Sequence, residues 1–281
     1  MSNATRTTLA ADSGSTKTTW RLTPADGGQP LFFYTQGLSP IHQSADDILL
    51  VLRHELLPQI APHNTSGMTV EFYGSGCLPE LCPTVERCLR QVFPDATAVT
   101  VESDLMGAAR ALCGKSEGIA CILGTGANSC LYDGRSITMH TPPMGYILGD
   151  EGSGAALGKA LLNMLYKGHL PTSLRADFER QTGLTYTDII RRTYREPLAA
   201  RFLASLSPFI HAHLDVPGLS DMVTGNFRDF FRLHVAPYGR RDLPVGFVGS
   251  IACHYKALLT VAAGEEGFTL GRVMREPLDC E

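Results

Sequence analysis

The pattern of apolar and polar positions in the first part of the chain predicts strands first and helices afterwards. Extended runs over residues 8–12, 17–22 and 31–36 are separated by glycine-containing turns, which predicts an antiparallel meander. Apolar residues then recur at helical spacing over 44–57. Further strands are expected at 70–73 and 98–101, and further helices at 79–92 and 105–113. This order predicts a mixed sheet with a parallel portion.

The same order of elements begins again at residue 118. Strands are predicted at 118–123, 128–132 and 136–140, helices at 151–166, 173–181, 186–194, 197–213 and 219–234, and then a strand at 245–248, a helix at 251–262 and a strand near 268–270. Residues 11–15 and 123–127 occupy the same place in two strand–turn–strand units that lie 112 residues apart. The repeated order predicts two α/β domains of similar topology that face each other across a cleft.

Length and charge narrow the class of protein. A chain of 281 residues is long enough for about two domains, at roughly 150 residues per domain. The formal net charge of −4 offers no basic surface for nucleic acid. The chain has no apolar run long enough for a membrane helix, and its first residues are polar and lack a signal core. We therefore expect a cytoplasmic protein that binds neither nucleic acid nor membrane.

Neither the cysteines nor the paired histidines form a metal-binding pattern. The eight cysteines include no Cys-x-x-Cys pair, and several lie in apolar runs, so we expect reduced thiols in the core. His211 and His213 stand two apart on a predicted helix and therefore point to different faces.

Two turns rich in small residues are candidate phosphate sites. The first follows Asp12 and reads Ser-Gly-Ser-Thr-Lys-Thr, and the second reads Gly-Thr-Gly-Ala-Asn-Ser from Gly124. Successive backbone N–H groups in such turns form an anion site, and an aspartate beside it can hold Mg²⁺. An ordinary hairpin turn with a solvated aspartate is the alternative interpretation of the first segment.

Two further segments combine carboxylates with helix starts. In Glu102-Ser103-Asp104, either Ser103 or Asp104 can cap the next helix, and Asp104 can also serve as a general base. Residues 145–154 place two carboxylates among four glycines ahead of an apolar helix. Capping alone does not require so many glycines, so we expect a polar ligand to approach this backbone closely.

Taken together, these segments resemble the N-acetylglucosamine kinase-like branch of the BadF/BadG/BcrA/BcrD-type ATPase family, which belongs to the superfamily of actin-like ATPases and sugar kinases. The matching stretches are residues 11–18, 73–77, 104–112, 122–134, 145–158 and 248–252. The most specific of them is Leu-Gly-Asp-Glu-Gly-Ser-Gly-Ala, which begins at Leu148. The resemblance implies two ribonuclease-H-like domains with mixed sheets, over residues 1–104 and 105–281, the second carrying a helical insertion.

The resemblance also implies a role for individual residues. ATP and Mg²⁺ are the implied cofactors, with Asp12 near the metal and Asp104 as the catalytic base. The implied phosphate and adenosine contacts are Gly14, Ser15, Thr16, Gly124, Thr125, Gly126, Gly249 and Ser250. The implied sugar contacts are Ser39, Met144, Gly145 and Asp150.

The sequence departs from the family pattern in the sugar-binding stretches. Ser39 stands in a Gly-Leu-Ser-Pro segment where the family usually has Gly-Leu-Asn-Pro, and Met144 stands where the animal kinases have tryptophan. The leading hypothesis is an ATP-dependent kinase that phosphorylates an amino sugar, at the 6-hydroxyl of N-acetylglucosamine or glucosamine. A catalytically weak sugar or nucleotide sensor and an activator ATPase are the alternatives. The expected partner is a small-molecule sugar, and the sequence leaves a homodimer open.

Overall fold

The structure of the protein is a computed structural model that describes residues 6–14 and 16–278. Residues up to Gly107, together with Pro277 and Leu278, form one compact unit, and Ala108–Glu276 form the second. The division falls inside a helix, three residues beyond the predicted boundary after Asp104, and the end of the described chain returns to the first unit. Within the described ranges, no helix combines the length and apolar character needed to cross a bilayer.

The first unit is built on one mixed five-stranded sheet in the order β3-β2-β1-β4-β5. Its strands are β1 (Thr8–Ser13), β2 (Lys17–Thr23), β3 (Leu31–Gln36), β4 (Thr69–Gly74) and β5 (Ala98–Ser103). Strand β2 pairs antiparallel with β1 and with β3, whereas β4 pairs parallel with β1 and with β5. The register places Asp12 opposite Thr19 on one side and Tyr73 on the other. The carboxyl ends of β1, β4 and β5 therefore meet at one edge of this sheet.

The helices of the first unit follow from local capping and from proline. They are α1 (Ala45–Val51), α2 (Leu57–Ile60), α3 (Cys82–Val92) and α4 (Asp104–Cys113), the last of which continues into the second unit. Ser44 begins α1 with a capping box, because its side chain accepts from the Asp47 N–H while Asp47 accepts from the Ser44 N–H. A π-helical turn, Leu52–Leu56, joins α1 to α2.

Pro58 explains why the helix predicted over 44–57 is interrupted by a π turn. Pro58 has no N–H to donate to a carbonyl one turn earlier, and its ring crowds that carbonyl. The chain widens into the π turn, in which the Leu57 N–H donates to the Leu52 carbonyl, and the helix continues to Ile60.

The second unit repeats the topology of the first with the sheet order β10-β9-β6-β7-β8. Its strands are β6 (Gly118–Leu123), β7 (Ala127–Tyr132), β8 (Ile137–His140), β9 (Val245–Val248) and β10 (Leu270–Met274). Strands β6 to β8 pair antiparallel, and β9 pairs parallel to β6 and to β10. The α/β fold with two mixed sheets is confirmed, and the duplicated order of strands matches the predicted repeat.

Helices cover the second sheet and supply most of its core. They are α5 (Gly145–Leu148), α6 (Gly154–Tyr166), α7 (Thr172–Thr182), α8 (Tyr186–Tyr194), α9 (Ala199–Ala204), α10 (Ser207–Ala212), α11 (Leu219–Phe230), α12 (Ser250–His254) and α13 (Lys256–Glu265). A π turn, Phe231–Val235, and a 3-10 turn, Ala236–Tyr238, extend α11. The single helix predicted over 197–213 is wrong: Pro208 has no N–H to donate to the Ala204 carbonyl, and the chain forms α9, which ends at Ala204, and α10, which begins at Ser207.

Each unit has its own apolar core. In the first, Trp20 is fully buried, lies 5.9 Å from the Phe72 ring centroid, and donates from its indole N–H to the Thr35 hydroxyl. In the second, the buried rings of Phe230 and Phe231 each lie 5.8 Å from the ring of Phe247 in β9. The cysteines at positions 77, 82, 88, 113, 121 and 130 carry free thiols, and Cys280 lies outside the described residues.

Gly249, directly after β9, has a backbone conformation that only glycine adopts without strain. Its φ of 127° and ψ of 158° lie in a region that side chains disfavour, and a Cβ there would collide with the Leu123 carbonyl. We expect Gly249→Ala to destabilise the fold by about 2 kcal/mol or more, which lowers the unfolding midpoint by roughly 4 °C or more.

Thermal unfolding followed by circular dichroism measures this effect, with Gly264→Ala as the matched control. Gly264 lies in α13 with no atom near the position of a Cβ. Alanine in a helix is more stable than glycine by about 0.5–1 kcal/mol, so the control should raise the midpoint. Equal midpoints for Gly249→Ala and the wild type would contradict the assigned backbone conformation.

Candidate functional site

The turn after β1 is tightly held by hydrogen bonds. The Gly14 N–H donates to the Lys17 carbonyl at 3.0 Å and closes the turn, while Gly14 and Thr16 are exposed. Asp12 is half-buried at the end of β1. Ser15 was predicted to contact phosphate and lies outside the described residues. The described part of the turn therefore presents backbone and a carboxylate at the carboxyl edge of the first sheet.

Ser13 connects this turn to two neighbouring segments. Its buried hydroxyl lies 2.7 Å from the Thr18 hydroxyl and accepts from the Leu38 N–H at 2.9 Å. Its carbonyl accepts from the Ser75 N–H at 2.7 Å. These bonds bring residues 37–39 and 74–77 together at the end of β1.

Ser39 lies within this group of segments and is buried. Its hydroxyl would stand 2.7 Å from a Cβ on Gly76, a residue whose φ of 78° is itself left-handed. The Ser39 N–H donates to the Gln43 side chain at 2.7 Å. The serine therefore packs closely against the loop that follows β4.

Asp104 begins α4, and the structure separates its role from that of Ser103. The Ser103 hydroxyl accepts from the Met106 N–H at 3.2 Å, which makes Ser103 the capping side chain. The Asp104 carboxylate accepts from the adjacent Leu105 N–H, at 2.8 Å, and from its own backbone N–H. Burial raises the pKa of Asp104 to about 6. This carboxylate is consequently more basic than an ordinary aspartate and is still ionised at neutral pH.

Cys77 lies close enough to Asp104 for the two charges to interact. Burial, and to a smaller extent the carboxylate of Asp104, raise the pKa of the Cys77 thiol to about 12. The thiol is therefore protonated at neutral pH and is not an active nucleophile.

In the second unit the turn after β6 is held to the beginning of α6. The Gly124 N–H donates to the Gly126 carbonyl at 3.0 Å within the turn. The first N–H groups of α6 then donate back to it, from Gly154 to the Gly124 carbonyl at 2.8 Å and from Ala155 to the Thr125 carbonyl at 3.1 Å. Gly249 packs against the same turn, with exposed Ser250 following it. The structure thus brings the two predicted nucleotide segments of this unit together with the start of α6.

Asp150 adjoins this turn in a conformation that is unusual for a residue with a side chain. Its φ is 57°, its N–H donates to the Pro143 carbonyl at 2.9 Å, and its Oδ1 accepts from the Ala127 N–H at 3.3 Å. Burial raises the pKa of this carboxyl. Met144, also left-handed at a φ of 61°, and Gly145 are exposed on the same segment. The segment therefore presents one buried carboxyl and three exposed apolar side chains, those of Met144, Ile147 and Leu148.

A buried polar group that the sequence motifs do not indicate lies behind this segment. Glu151 Oε2 lies 2.8 Å from Nε2 of His234, and the Gly152 N–H donates to the Asn226 side chain at 2.6 Å. His234 is 3% exposed on the π turn. No local sequence pattern identifies these partners. A single histidine in a helical pattern cannot be told apart from other core residues, and His234 lies 83 residues from Glu151 in the sequence.

Among the described residues, no group of three or more His, Cys, Asp or Glu side chains is arranged to hold a metal ion. A divalent cation at Asp12 would therefore need further oxygen ligands from a bound molecule or from water.

Comparison with known proteins decides the family. No protein-family model and no curated protein matches the chain. A solved structure does: the putative N-acetylglucosamine kinase from Porphyromonas gingivalis is 46% identical, with a TM-score of 0.92 over 96% of this chain and 95% of that one. The chain belongs to the N-acetylglucosamine kinase-like family of ATPases.

More distant structures share the fold. The putative N-acetylglucosamine kinase from Chromobacterium violaceum has a TM-score of 0.74 at 18% identity and covers 96% of this chain and 95% of its own. A ROK family glucokinase from Streptomyces griseus, solved with glucose and the ATP analogue AMPPNP, has a TM-score of 0.51 at 13% identity, covering 96% and 94%. The family therefore belongs among the actin-like ATPase folds.

The buried carboxyl of Asp150 generates a stability prediction. Asparagine accepts the same bond from Ala127, tolerates the left-handed backbone and carries no charge, so Asp150→Asn should be at least as stable as the wild type. Because burial raises the pKa in the folded state above the ordinary value of 3.8, the wild type loses stability as the pH rises from that value through the raised pKa, and the advantage of Asp150→Asn should be larger at about pH 7 than at about pH 3.

Asp150→Ala is the contrasting variant. It loses the hydrogen bond and forces alanine into the left-handed region, which together cost about 2 kcal/mol, or roughly 4–8 °C in the unfolding midpoint. Differential scanning calorimetry at both pH values measures the two effects. An Asp150→Asn protein that is less stable than the wild type at the higher pH would show that the ionised carboxylate is needed by the fold.

Proposed function

We propose that the protein is an ATP-dependent kinase that transfers the γ-phosphoryl group to the 6-hydroxyl of an amino sugar, N-acetylglucosamine or glucosamine. The similarity to the putative N-acetylglucosamine kinase from P. gingivalis, at 46% identity over 96% of the chain, is the observation that carries this proposal. The positions of Asp104, Asp150 and the two glycine turns support it.

The nucleotide is assigned to backbone rather than to side chains. In the first unit the turn containing Gly14, Ser15 and Thr16 would donate N–H and hydroxyl groups to phosphate oxygens. In the second unit the turn Gly124-Thr125-Gly126 would do the same, and its position is fixed by the bonds from α6. Gly249 and Ser250, which pack against that turn, would contact the adenosine.

Asp12 fits the needs of Mg²⁺ in a site completed by a nucleotide. Mg²⁺ usually binds through one or two carboxylates together with substrate phosphates and water, and Asp12 supplies one such carboxylate at the end of β1. When bound, the ion would neutralise negative charge on the phosphates. Among the described residues, no group of His, Cys, Asp or Glu side chains forms a complete metal site by itself.

Asp104 is the proposed general base. The sugar hydroxyl oxygen forms a bond to the γ-phosphorus, the bond from that phosphorus to the bridging oxygen breaks, and ADP leaves, while the hydroxyl proton passes to the Asp104 carboxylate. A pKa of about 6 keeps this group ionised at neutral pH and makes it a better proton acceptor than an ordinary aspartate. A positioned base contributes about 10²–10⁴-fold to the rate.

Four residues are assigned to the sugar. The Asp150 carboxyl would accept hydrogen bonds from sugar hydroxyls, with the Gly145 backbone beside it on the same segment. Ser39 offers one hydroxyl in place of an amide, and exposed Met144 offers an apolar contact in place of an aromatic ring. Both changes reduce the number of directional contacts, so we expect a higher KM for the sugar than an asparagine and an aromatic residue would give.

ADP release coupled to an indicator reaction tests the proposal, with amino sugars, plain hexoses and a no-sugar control. We expect release to depend on N-acetylglucosamine or glucosamine. Asp104→Asn should lower kcat by about 10²–10⁴-fold and leave nucleotide affinity unchanged, whereas Asp95→Asn, at an exposed aspartate of the same unit, should have no effect.

The pH profile supplies a second test of the same base. Wild-type kcat/KM should fall about tenfold per pH unit below about pH 6, as Asp104 becomes protonated. Near-normal turnover by Asp104→Asn would contradict its assignment as the base. ADP release that is equal with and without every sugar would contradict the kinase, and sugar binding without turnover would favour a sensor of the same fold.

A further inference from the structure

We propose that His234 is a positioning residue for the sugar site, and that the helical turn around it clamps both ends of the segment 141–152. We call Phe231–Val235 together with Tyr238 the π clamp. This inference rests on the proposed function, because the clamped segment carries three of the four residues assigned to the sugar, Met144, Gly145 and Asp150.

The clamp holds the carboxyl end of the segment through the His234 side chain. Nε2 of His234 lies 2.8 Å from Glu151 Oε2, the neighbour of Asp150. A carboxylate in this position favours the tautomer with the hydrogen on Nε2. The other ring nitrogen, Nδ1, is buried and has no partner among the described residues. Burying a histidine with one nitrogen unpaired has a cost, and the contact with Glu151 is the polar interaction that offsets it.

The clamp holds the amino end of the segment through a carbonyl and a phenol. The Thr141 hydroxyl donates to the His234 carbonyl at 3.0 Å, and the Thr141 N–H donates to the Tyr238 hydroxyl at 3.1 Å. Ser129 in β7 joins the same group, because its hydroxyl donates to the His234 carbonyl at 3.3 Å and lies 2.7 Å from the Tyr238 hydroxyl. One turn of helix therefore contacts both ends of the segment and the central part of the sheet.

The turn itself is immobilised by apolar packing. Phe231, His234 and Val235 are buried, and the His234 ring stacks on the Phe230 ring with centroids 5.0 Å apart. π turns interrupt α-helices mostly at functional positions, since the wider turn redirects side chains at a cost in stability. Here the redirected side chain is the one that reaches Glu151.

The segment needs such support because its backbone is strained in two places. Met144 and Asp150 both have left-handed φ angles, at 61° and 57°. Non-glycine residues in this region cost of order 1–3 kcal/mol each and persist only where the surroundings fix them. We infer that loss of the His234 contact lets the segment relax and moves the Asp150 carboxyl away from the Ala127 N–H.

Three variants test the clamp in the full-length protein. His234→Leu keeps an apolar side chain and removes the bond to Glu151, and we expect the sugar KM to rise about tenfold or more while the ATP KM changes less than about twofold. His234→Gln keeps an N–H donor near the Nε2 position and should recover most of the loss. Thr193→Val is the control, because it removes a different buried hydroxyl that has no described partner in the same unit.

Hydrogen–deuterium exchange gives a readout that does not depend on turnover. We expect peptides covering 141–152 to exchange faster in His234→Leu, at wild-type rates in Thr193→Val, and near wild-type rates in His234→Gln. Tyr238→Phe, which removes one hydroxyl and retains the ring, should also increase exchange at the amino end of the segment. It keeps the test available if His234→Leu does not fold.

The outcomes separate this inference from the proposed function. If the wild type shows no sugar-dependent turnover, the kinase assignment fails, and exchange still decides whether the clamp exists. If the wild type turns over sugar and the folded His234 and Tyr238 variants match it in both sugar KM and exchange, the clamp is overturned. A rise in both KM values by the same factor would also overturn it, since that result indicates general loss of structure.

Discussion

Close approach of backbone to backbone at the end of β6 is the constraint on which the second unit depends. The carbonyls of Gly124 and Thr125 accept the first N–H groups of α6, and Gly249 stands against the Leu123 carbonyl, where no side chain fits. These contacts fix a turn, a helix start and a strand end in one place. Asp150 then docks its carboxyl against the same hairpin through the Ala127 N–H. A polar ligand at this edge would therefore meet a preformed backbone surface, which lowers the conformational cost of binding.

In the first unit, a single residue joins the segments that meet at the end of β1. Ser13 accepts from the Leu38 N–H, contacts the Thr18 hydroxyl, and presents its carbonyl to the Ser75 N–H. The hydroxyl and the carbonyl of this one residue thus hold three segments at the carboxyl edge of the sheet, near the start of α4. The two units share a topology, but different contacts hold the end of β1 and the end of β6.

Much of the fold could be predicted from the sequence, because each strand is a short apolar run bounded by glycine or aspartate turns and the order repeats. Helix caps and helix interruptions are harder to predict from the sequence. The choice between Ser103 and Asp104 as the cap depends on side-chain geometry, and it decides whether the Asp104 carboxylate is available for other chemistry. The interruption between α9 and α10 follows from Pro208, which has no N–H to continue the helix, and apolar periodicity alone does not reveal it.

The site was predicted only as far as its local motifs extend. Glycine turns and carboxylates near strand ends are visible as short patterns, whereas the contact of Glu151 with His234 joins residues 83 positions apart and depends on a π turn. The departures at positions 39 and 144 also differ in setting. Ser39 is buried against Gly76, and Met144 is 61% exposed. Substitution at position 39 is therefore limited by packing, while position 144 is free to change with the ligand.

The most direct test of the central claim is the identity of the product. Wild-type protein, ATP, Mg²⁺ and N-acetylglucosamine or glucosamine are incubated, and the product is examined by proton-coupled ³¹P NMR. Phosphate on the 6-hydroxyl is attached to a CH₂ group, so we expect a new phosphomonoester signal that is split into a triplet. A doublet, which indicates phosphate on a ring or anomeric CH–O group, or only inorganic phosphate and ADP, would contradict it.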